Sequence, residues 1–310
     1  MLVDERPSIL FILLRSRSGV HSPTLSGIPQ ADAYRPLFLP TVLIGDARLG
    51  GISSTISAFE SLLLRGYIVD AILLFKDDYY RNWEYLREYF RRKDIAVAAI
   101  RPPPPRISNP EEDRHSTELY YRNVCGEDEG SGDPEMMSVV QHLDQKHLER
   151  LDALESMPRR TLDAVWWPFV QHGAVDGEKA VTVIDSAYGD FFDTFQHRRR
   201  RGEAIGTHKD PSPPRSLIAP QFDGSASWWT QCFGHGHLEI AQAAASAAGR
   251  YGHVVFPLAT HEPALTLIEN LLHRGPGKDW AAKIFISDNG STGMEVRLVK
   301  SSTSYLLLLI

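Results

Sequence analysis

Cysteine is nearly absent from the sequence, with Cys125 and Cys232 the only two among 310 residues and neither in a CxxC pair. A disulfide framework is thereby excluded, and a reduced, intracellular compartment is the default expectation. Long apolar runs are missing too. Nothing approaches the roughly 20 residues needed to span a bilayer. The apolar stretch 9–14 is followed by Arg15-Ser16-Arg17 rather than by the small residues of a secretory cleavage site, and Asp4 and Glu5 weaken a transit-peptide reading. There is no excess of positive charge: the formal net charge of −6 gives no electrostatic reason to expect nucleic acid or an anionic membrane as partner. Catalytic signatures are sparse. No GxxxxGK(S/T) cradle for a triphosphate occurs, no Gly-x-Ser-x-Gly elbow, no convincing Cys/His nucleophile pair and no internal repeat.

What is present reads as α/β. With 43% hydrophobic and 23% charged residues the composition is that of a globular protein, and the length suggests about two domains. Short apolar runs at 9–14, 41–44, 68–75 and 95–100 have the length of buried parallel strands. Between them Ile52, Ile56, Phe59, Leu62 and Leu63 recur at helical spacing up to a stop at Gly66, and 79–92 reads as an amphipathic helix. Strands alternating with helices imply βαβ units and a mostly parallel sheet. Pro102 to Pro105 end that pattern, and from there to about Asp133 the polar chain reads as a mobile, partly disordered connection. A charged helix over 139–154 closes the first region. We therefore expect one domain over 1–155, with a polar linker at about 101–138, and a second over 156–310. In the second, the basic, proline-containing stretch 197–214 reads as a solvated loop, 238–246 and 263–272 as helices, and 283–286 as a strand.

That strand runs into the strongest local signal. A strand ending in Asn289-Gly290-Ser291-Thr292 and opening a helix through Met294 and Val296 makes an anion site, because the first N–H groups of a helix lack intrahelical partners and its dipole favours negative charge. Gly290 lets the backbone approach a phosphate, while Ser291 and Thr292 add hydroxyl donors. The same residues also read as a plain N-cap, with Ser291 or Thr292 holding the first turn. Gly45-Asp46-Ala47-Arg48-Leu49-Gly50-Gly51 is a second strand–loop–helix turn, on its residues alone a structural glycine turn with Ser53 as cap. Asp223-Gly224-Ser225-Ala226-Ser227-Trp228-Trp229 sets two tryptophans beside small residues, and tryptophan packs in a core or walls a pocket. His235 and His237, two apart in a glycine loop with no carboxylate at matching spacing, make a poor zinc site. His253 and His261 read as structural. No metal ligand is assigned.

These segments fall in a fixed order. Trp166-Trp167-Pro168-Phe169-Val170-Gln171-His172, Val183-Ile184-Asp185-Ser186, the tryptophan segment, Tyr251-Gly252-His253-Val254-Val255-Phe256, Glu262-Pro263-Ala264-Leu265 and the run from Ser287 to Val296 resemble the N-terminal part of diaminopelargonic acid aminotransferase, a class III, fold-type I pyridoxal-phosphate enzyme. Upstream, Val20-His21-Ser22-Pro23, Gln30-Ala31-Asp32, Tyr34-Arg35-Pro36, Leu39-Pro40-Thr41-Val42-Leu43-Ile44-Gly45-Asp46 and Arg48-Leu49-Gly50-Gly51-Ile52 resemble the second half of dethiobiotin synthase. In that order the two resemble the bifunctional biotin-synthesis enzymes of fungi and plants, truncated at both ends. The resemblance implies a partial P-loop-type parallel sheet followed by the N-terminal part of a fold-type I aminotransferase. It also implies biotin biosynthesis: ATP- and Mg2+-dependent closure of the ureido ring of dethiobiotin from diaminopelargonate, and amino transfer from S-adenosylmethionine to 7-keto-8-aminopelargonate through pyridoxal phosphate. A homodimer and a mitochondrial or cytosolic location are implied likewise, with no nucleic acid and no membrane.

Site roles carry over by position. Gly290, Ser291 and Thr292 match the cofactor-phosphate turn, and Trp228 matches the aromatic that walls the substrate pocket. Phe169 stands where some members have a substrate-facing tyrosine. Leu49, Gly50 and Gly51 match the synthase loop that approaches the diamine, with the following helix at the dimer interface. The departures bear on activity. Arg15-Ser16-Arg17-Ser18-Gly19 stands where the family has a Glu-x-Ala-Gly-Gly turn whose glutamate helps hold Mg2+, and a cation cannot coordinate that ion. The triphosphate cradle is missing, and no adenine-binding asparagine is evident in Leu74-Phe75-Lys76-Asp77-Asp78. The family's Schiff-base lysine, pyridine-pairing aspartate and ring-stacking aromatic lie beyond Val296, where the sequence diverges. Lys300, one or two turns into the helix, is a poor substitute, so no catalytic residue is assigned. The expectation is a family segment that is inactive by itself. The alternatives are a non-catalytic remnant that binds a full-length partner through the synthase-like dimer surface, and an unrelated α/β protein with chance matches. An incomplete sheet exposes strand edges, so the region from 165 onward is expected to fold poorly alone.

Overall fold

The computed structural model describes residues 19–126, 132–196, 217–254, 258–287, 289–300 and 306–309. The strand expected at 9–14, the turn through Arg15 and Arg17, the basic loop 197–214, Val255, Phe256 and Asp288 lie outside the described residues. Contacts divide the chain into two compact units, Met1–Ala243 and Ala244–Ile310.

The first unit opens with one helical turn, α1 (Gln30–Ala33), ahead of β1 (Thr41–Ile44), α2 (Gly51–Leu64), β2 (Val69–Phe75), α3 (Asn82–Arg91) and β3 (Ala96–Ile100). The strands form a parallel sheet in the order β1-β2-β3, which is the α/β alternation read from the apolar runs. Those runs are continuously apolar because the sheet is covered on both faces. Phe59 and Leu62 of α2 and Leu86 and Phe90 of α3 pack on Leu43, Ile72 and Leu74, and the Phe59 and Phe90 rings meet edge to face at 5.0 Å. Each such side chain stabilises the fold by about 1.5–3 kcal/mol when fully buried. Helix α2 stops where the sequence placed its stop: Gly66 takes φ +80°, its N–H donates to Leu63 O and the Tyr67 N–H to Leu62 O. That pair of bonds satisfies two carbonyls at the helix end.

The polar connection expected after β3 is instead helix α4 (Pro110–Cys125). Its start has the chemistry of a helix N-terminus. The Asn109 side chain accepts from the Glu111 N–H at 3.0 Å, Pro110 occupies the first turn, and Glu111, Glu112 and Asp113 face the positive end of the dipole. Val124 is buried, and the Tyr120 hydroxyl donates to Arg101 O. Polarity marked a solvated helix, not a loop.

Helix α5 (Pro134–Ala164) follows, capped by Asp133, and at 31 residues it extends ten past the expected end. It is about 46 Å long at 1.5 Å per residue. Its first half lays Val139 and Leu143 on Ala71 and Ala98, covering the second face of the parallel sheet. Its second half packs Leu151, Leu154 and Met157 against Val183, Phe195 and Ile218. This packing carries the helix through Pro158, whose missing N–H would otherwise favour a break there. Phe195 and Ile218 belong to, and Val183 immediately precedes, an antiparallel sheet of β4 (Ile184–Tyr188), β5 (Phe191–Phe195) and β6 (Ile218–Phe222), which periodicity alone did not reveal. A short turn, α6 (Ala226–Trp229), and helix α7 (Leu238–Tyr251) come next, and the division between the units falls within α7.

The second unit holds α8 (Glu262–His273), β7 (Lys283–Ile286), α9 (Gly290–Lys300) and β8 (Leu306–Leu309). Strands β7 and β8 pair in parallel with α9 between them, one βαβ crossover. Among the described residues no helix is long and apolar enough to cross a membrane.

Candidate functional site

At the carboxyl edge of the parallel sheet the loop between β1 and α2 is held closed by backbone contacts. Gly50 takes φ +85°, and a Cβ built on Gly51 would lie 2.0 Å from Asp46 O and 2.7 Å from Asn82 Nδ2, so only glycine fits there. The Asn82 carboxamide donates to Asp46 O at 3.0 Å and Arg48 O at 2.7 Å, while Thr55 Oγ1 accepts from the Asp46 N–H. Leu49 is left 80% exposed at the loop tip. Asn82 lies more than thirty residues along the chain, and no sequence spacing announces it. No side-chain cap bond forms at the start of α2, so the cap expected of Ser53 is not made; Ser54 Oγ donates to Gly51 O.

A second site is built around Asp223. Its side chain is 3% exposed and accepts from Ser225 Oγ (3.0 Å), the Ser227 N–H (2.8 Å), Ser227 Oγ (3.2 Å) and His235 Nε2 (2.8 Å). Burial pushes the Asp223 carboxyl up, but the bonds from His235, Ser225 and Ser227 outweigh it and hold it below the usual carboxylate range. The clasped turn is unusual: Ala226, Ser227, Trp228 and Trp229 have φ of 45°, 46°, 62° and 64°. Left-handed backbone costs roughly 1–2 kcal/mol per non-glycine residue, and hydrogen bonds to a charged acceptor, about 1.5–3 kcal/mol each, offset that. The result presents the Trp228 ring to Phe169, edge to face at 5.8 Å, with both rings largely exposed. His235 therefore has the carboxylate partner that local spacing did not supply, although among the described residues no group of three or more His, Cys, Asp or Glu side chains gathers to hold a metal. The His261 ring lies 5.0 Å from that of Tyr251, tilted by 31°.

The third site is the start of α9. Here Asn289 is the cap, not Ser291 or Thr292: its Oδ1 accepts from the Thr292 N–H at 2.9 Å, and Ser287 Oγ donates to Asn289 O at 2.8 Å. The N–H groups of Gly290 and Ser291 precede any intrahelical acceptor. Lys300 is the last residue of this 11-residue helix, about three turns from Gly290 rather than one or two. Phe169 and Trp228 are thus brought together, Leu49, Gly50 and Gly51 sit at the end of the parallel sheet, and Gly290, Ser291 and Thr292 stand at a helix start in the second unit.

No protein-family model matches the sequence. Individual relatives do. The chain is 46% identical over 293 residues to the bifunctional dethiobiotin synthetase/adenosylmethionine-8-amino-7-oxononanoate aminotransferase of Emericella nidulans, covering 93% of this chain and 35% of that protein. It is 39% identical over 294 residues to the bifunctional dethiobiotin synthetase/7,8-diamino-pelargonic acid aminotransferase, mitochondrial, of Oryza sativa subsp. japonica, covering 94% and 32%. The adenosylmethionine-8-amino-7-oxononanoate aminotransferase of Synechococcus elongatus is 43% identical over 76 residues, 24% of this chain and 18% of that protein. The chain spans about a third of the length of the bifunctional relatives it matches. Each of these two alignments spans the regions that resemble the two enzymes separately, so the chain is similar over nearly its whole length to the bifunctional dethiobiotin synthetase/aminotransferase proteins.

Proposed function

We propose that this chain carries part of the machinery for two steps of biotin biosynthesis: closure of the dethiobiotin ureido ring, and transamination of 7-keto-8-aminopelargonate with S-adenosylmethionine as donor. The observation that carries this reading is the 46% identity extending over 93% of the chain. On this reading the parallel sheet of the first unit is part of a P-loop-type domain and the region from 156 onward is the N-terminal part of a fold-type I aminotransferase. The loop at Leu49, Gly50 and Gly51 lies at the carboxyl ends of the strands, where open α/β sheets bind ligands, and approaches diaminopelargonate. Gly290, Ser291 and Thr292 hold the phosphate of pyridoxal phosphate. The N–H groups of Gly290 and Ser291 fit a phosphate, with the two hydroxyls completing the donor set. Bound there, the cofactor supplies an electron sink. Trp228 and Phe169 wall the substrate side. ATP and Mg2+ are assigned to no residue, and the chain is inactive by itself. A homodimer, and a mitochondrial location as in the plant relatives, complete the proposal.

Pyridoxal phosphate binding by the full chain tests it. Equilibrium dialysis should show binding that inorganic phosphate displaces and that a Ser291→Ala, Thr292→Val variant weakens by about tenfold, the equivalent of one to two lost hydrogen bonds. Binding untouched by that variant would remove the phosphate turn from the reading. Covalent labelling of a lysine on borohydride treatment would overturn the inactivity of the isolated chain. A second reading, a non-catalytic chain that pairs with a full-length relative through the α2 surface, is favoured by Leu63, 57% exposed on that helix. Failure to co-elute with such a relative would dismiss it.

A further inference from the structure

We infer that Asp223 and His235 are positioning residues that set the orientation of the aromatic pair Trp228–Phe169 by tying its strained turn to the β4–β5 hairpin. The inference rests on the proposed role of that pair as the substrate-side wall. Its observations are local to the first unit. Asp223 accepts four hydrogen bonds, three of them from Ser225 and Ser227, within or immediately beside the turn, and the fourth from His235 Nε2. His235 is itself pinned to the hairpin. Its backbone exchanges both hydrogen bonds with Gly189, at 2.7 and 3.1 Å, and its ring lies 4.9 Å from Phe192 on β5. The approach is so close that a Cβ built on Gly234 would sit 3.1 Å from Gly189 Cα.

Four consecutive non-glycine residues with positive φ do not hold that conformation unaided. Released from Asp223, the turn relaxes toward ordinary backbone, and since Trp228 lies inside it, relaxation swings the indole off Phe169. His235 contributes through Asp223: it fixes the carboxylate against the hairpin so that the remaining oxygen lone pairs point at the Ser227 N–H and hydroxyl. Both act through the turn.

The test needs no ligand, so its failure is distinguishable from failure of the cofactor and substrate assignments. The Trp228 contribution to the near-ultraviolet circular dichroism of the full chain is defined as the difference between the parent and Trp228→Phe. Asp223→Ala should abolish that contribution, and in a Trp228→Phe background should change the spectrum little further. His235→Ala should reduce it, and His235→Gln, which keeps a donor for Asp223, should restore it. Ser186→Ala is the control: it removes a hydrogen bond to Asp193 within the same sheet, at 3.0 Å, and should leave the Trp228 contribution intact. Should Asp223→Ala not fold, His235→Ala and Ser227→Ala each remove only part of the clasp and carry the test. A Trp228 contribution that survives these variants, or one that Ser186→Ala diminishes equally, would overturn the inference.

Discussion

Arg150 donates from Nη2 to both carboxylate oxygens of Asp185, at 2.7 and 2.8 Å, and so ties the middle of α5 to strand β4. Asp185 is 9% exposed and Arg150 24%, so the pair is shielded from water but not sealed. Removing one partner of a buried pair leaves the other charge uncompensated, at about 3–5 kcal/mol when burial is complete. For this partly open pair we expect about 2 kcal/mol for Arg150→Ala or Asp185→Ala, and less than the sum for the double variant. Urea midpoints across the four-member cycle measure it. Fully additive losses would mean that the two side chains do not stabilise one another.

The loop at the carboxyl edge of the parallel sheet yields a sharper steric expectation. Gly51→Ala drives a methyl group into Asp46 O, a backbone atom that cannot rotate away, whereas nothing lies within 4 Å of a Cβ on Gly50, where only the φ of +85° resists. Gly51→Ala should therefore cost about 3 kcal/mol through overpacking, and Gly50→Ala about 1–2 kcal/mol through backbone strain. Thermal unfolding of the two variants side by side separates the mechanisms. Equal losses would argue that the loop opens freely and that the Asn82 bonds to Asp46 O and Arg48 O do not hold it.

Helix α4 was the element least expected, and its cap is correspondingly testable. The Asn109 side chain satisfies the Glu111 N–H in the first turn. Asn109→Ala should lower stability by about 1 kcal/mol, with the loss concentrated in faster amide exchange over residues 110–125. Uniformly fast exchange across that stretch in the parent protein would contradict the helix.

The contrast between α4 and its neighbours shows where sequence reading had purchase. In β1, β2 and β3 both faces are buried, so apolar runs mark each strand directly, and Gly66 marks the end of α2 because only a left-handed residue closes it so readily. Helix α4 buries little beyond Val124, so its helical period carries almost no apolar signal; the one local signal that marks its start, Asn109 followed by Pro110, lay in a stretch read as a polar connection. The hairpin of β4 and β5 had a signal that apolar runs alone do not show: Gly189-Asp190 between Ile184–Tyr188 and Phe191–Phe195 is a two-residue turn of the kind that joins antiparallel strands. The clasp on the tryptophan turn had none. Asp223 and His235 stand twelve residues apart, and the hairpin that brings them together is not encoded in that spacing. At the α9 start the residue types were legible while the division of labour was not, since three adjacent side chains could cap and only geometry selects Asn289.

Two carboxylates in the first unit should give pH dependences of opposite sign. Asp70, half-buried on β2, has its pKa pushed above the ordinary value of 3.8, chiefly by burial, with His142, Arg150 and Lys146 pulling the other way. A raised folded pKa means that the native state binds the proton more tightly than the unfolded chain. Its contribution to stability is therefore full below about pH 3.8 and is lost as pH rises through the folded value. Asp70→Asn should then stabilise the protein at neutral pH, and the gain should vanish in acid. Asp113 is the reverse case. The Ile107 N–H and the Arg106 guanidinium hydrogen-bond to its carboxylate and hold its pKa below 3.8. Its contribution is present above that value and disappears as pH falls through the folded pKa. Asp113→Asn should destabilise at neutral pH, modestly because the site is open to solvent, and should become silent in acid. Melting temperatures of the parent and the two variants from about pH 2.5 to 7 measure both slopes at once. A stabilising effect of Asp70→Asn that persists at the acid end would show that the gain came from packing or hydrogen bonding rather than from relief of a buried charge.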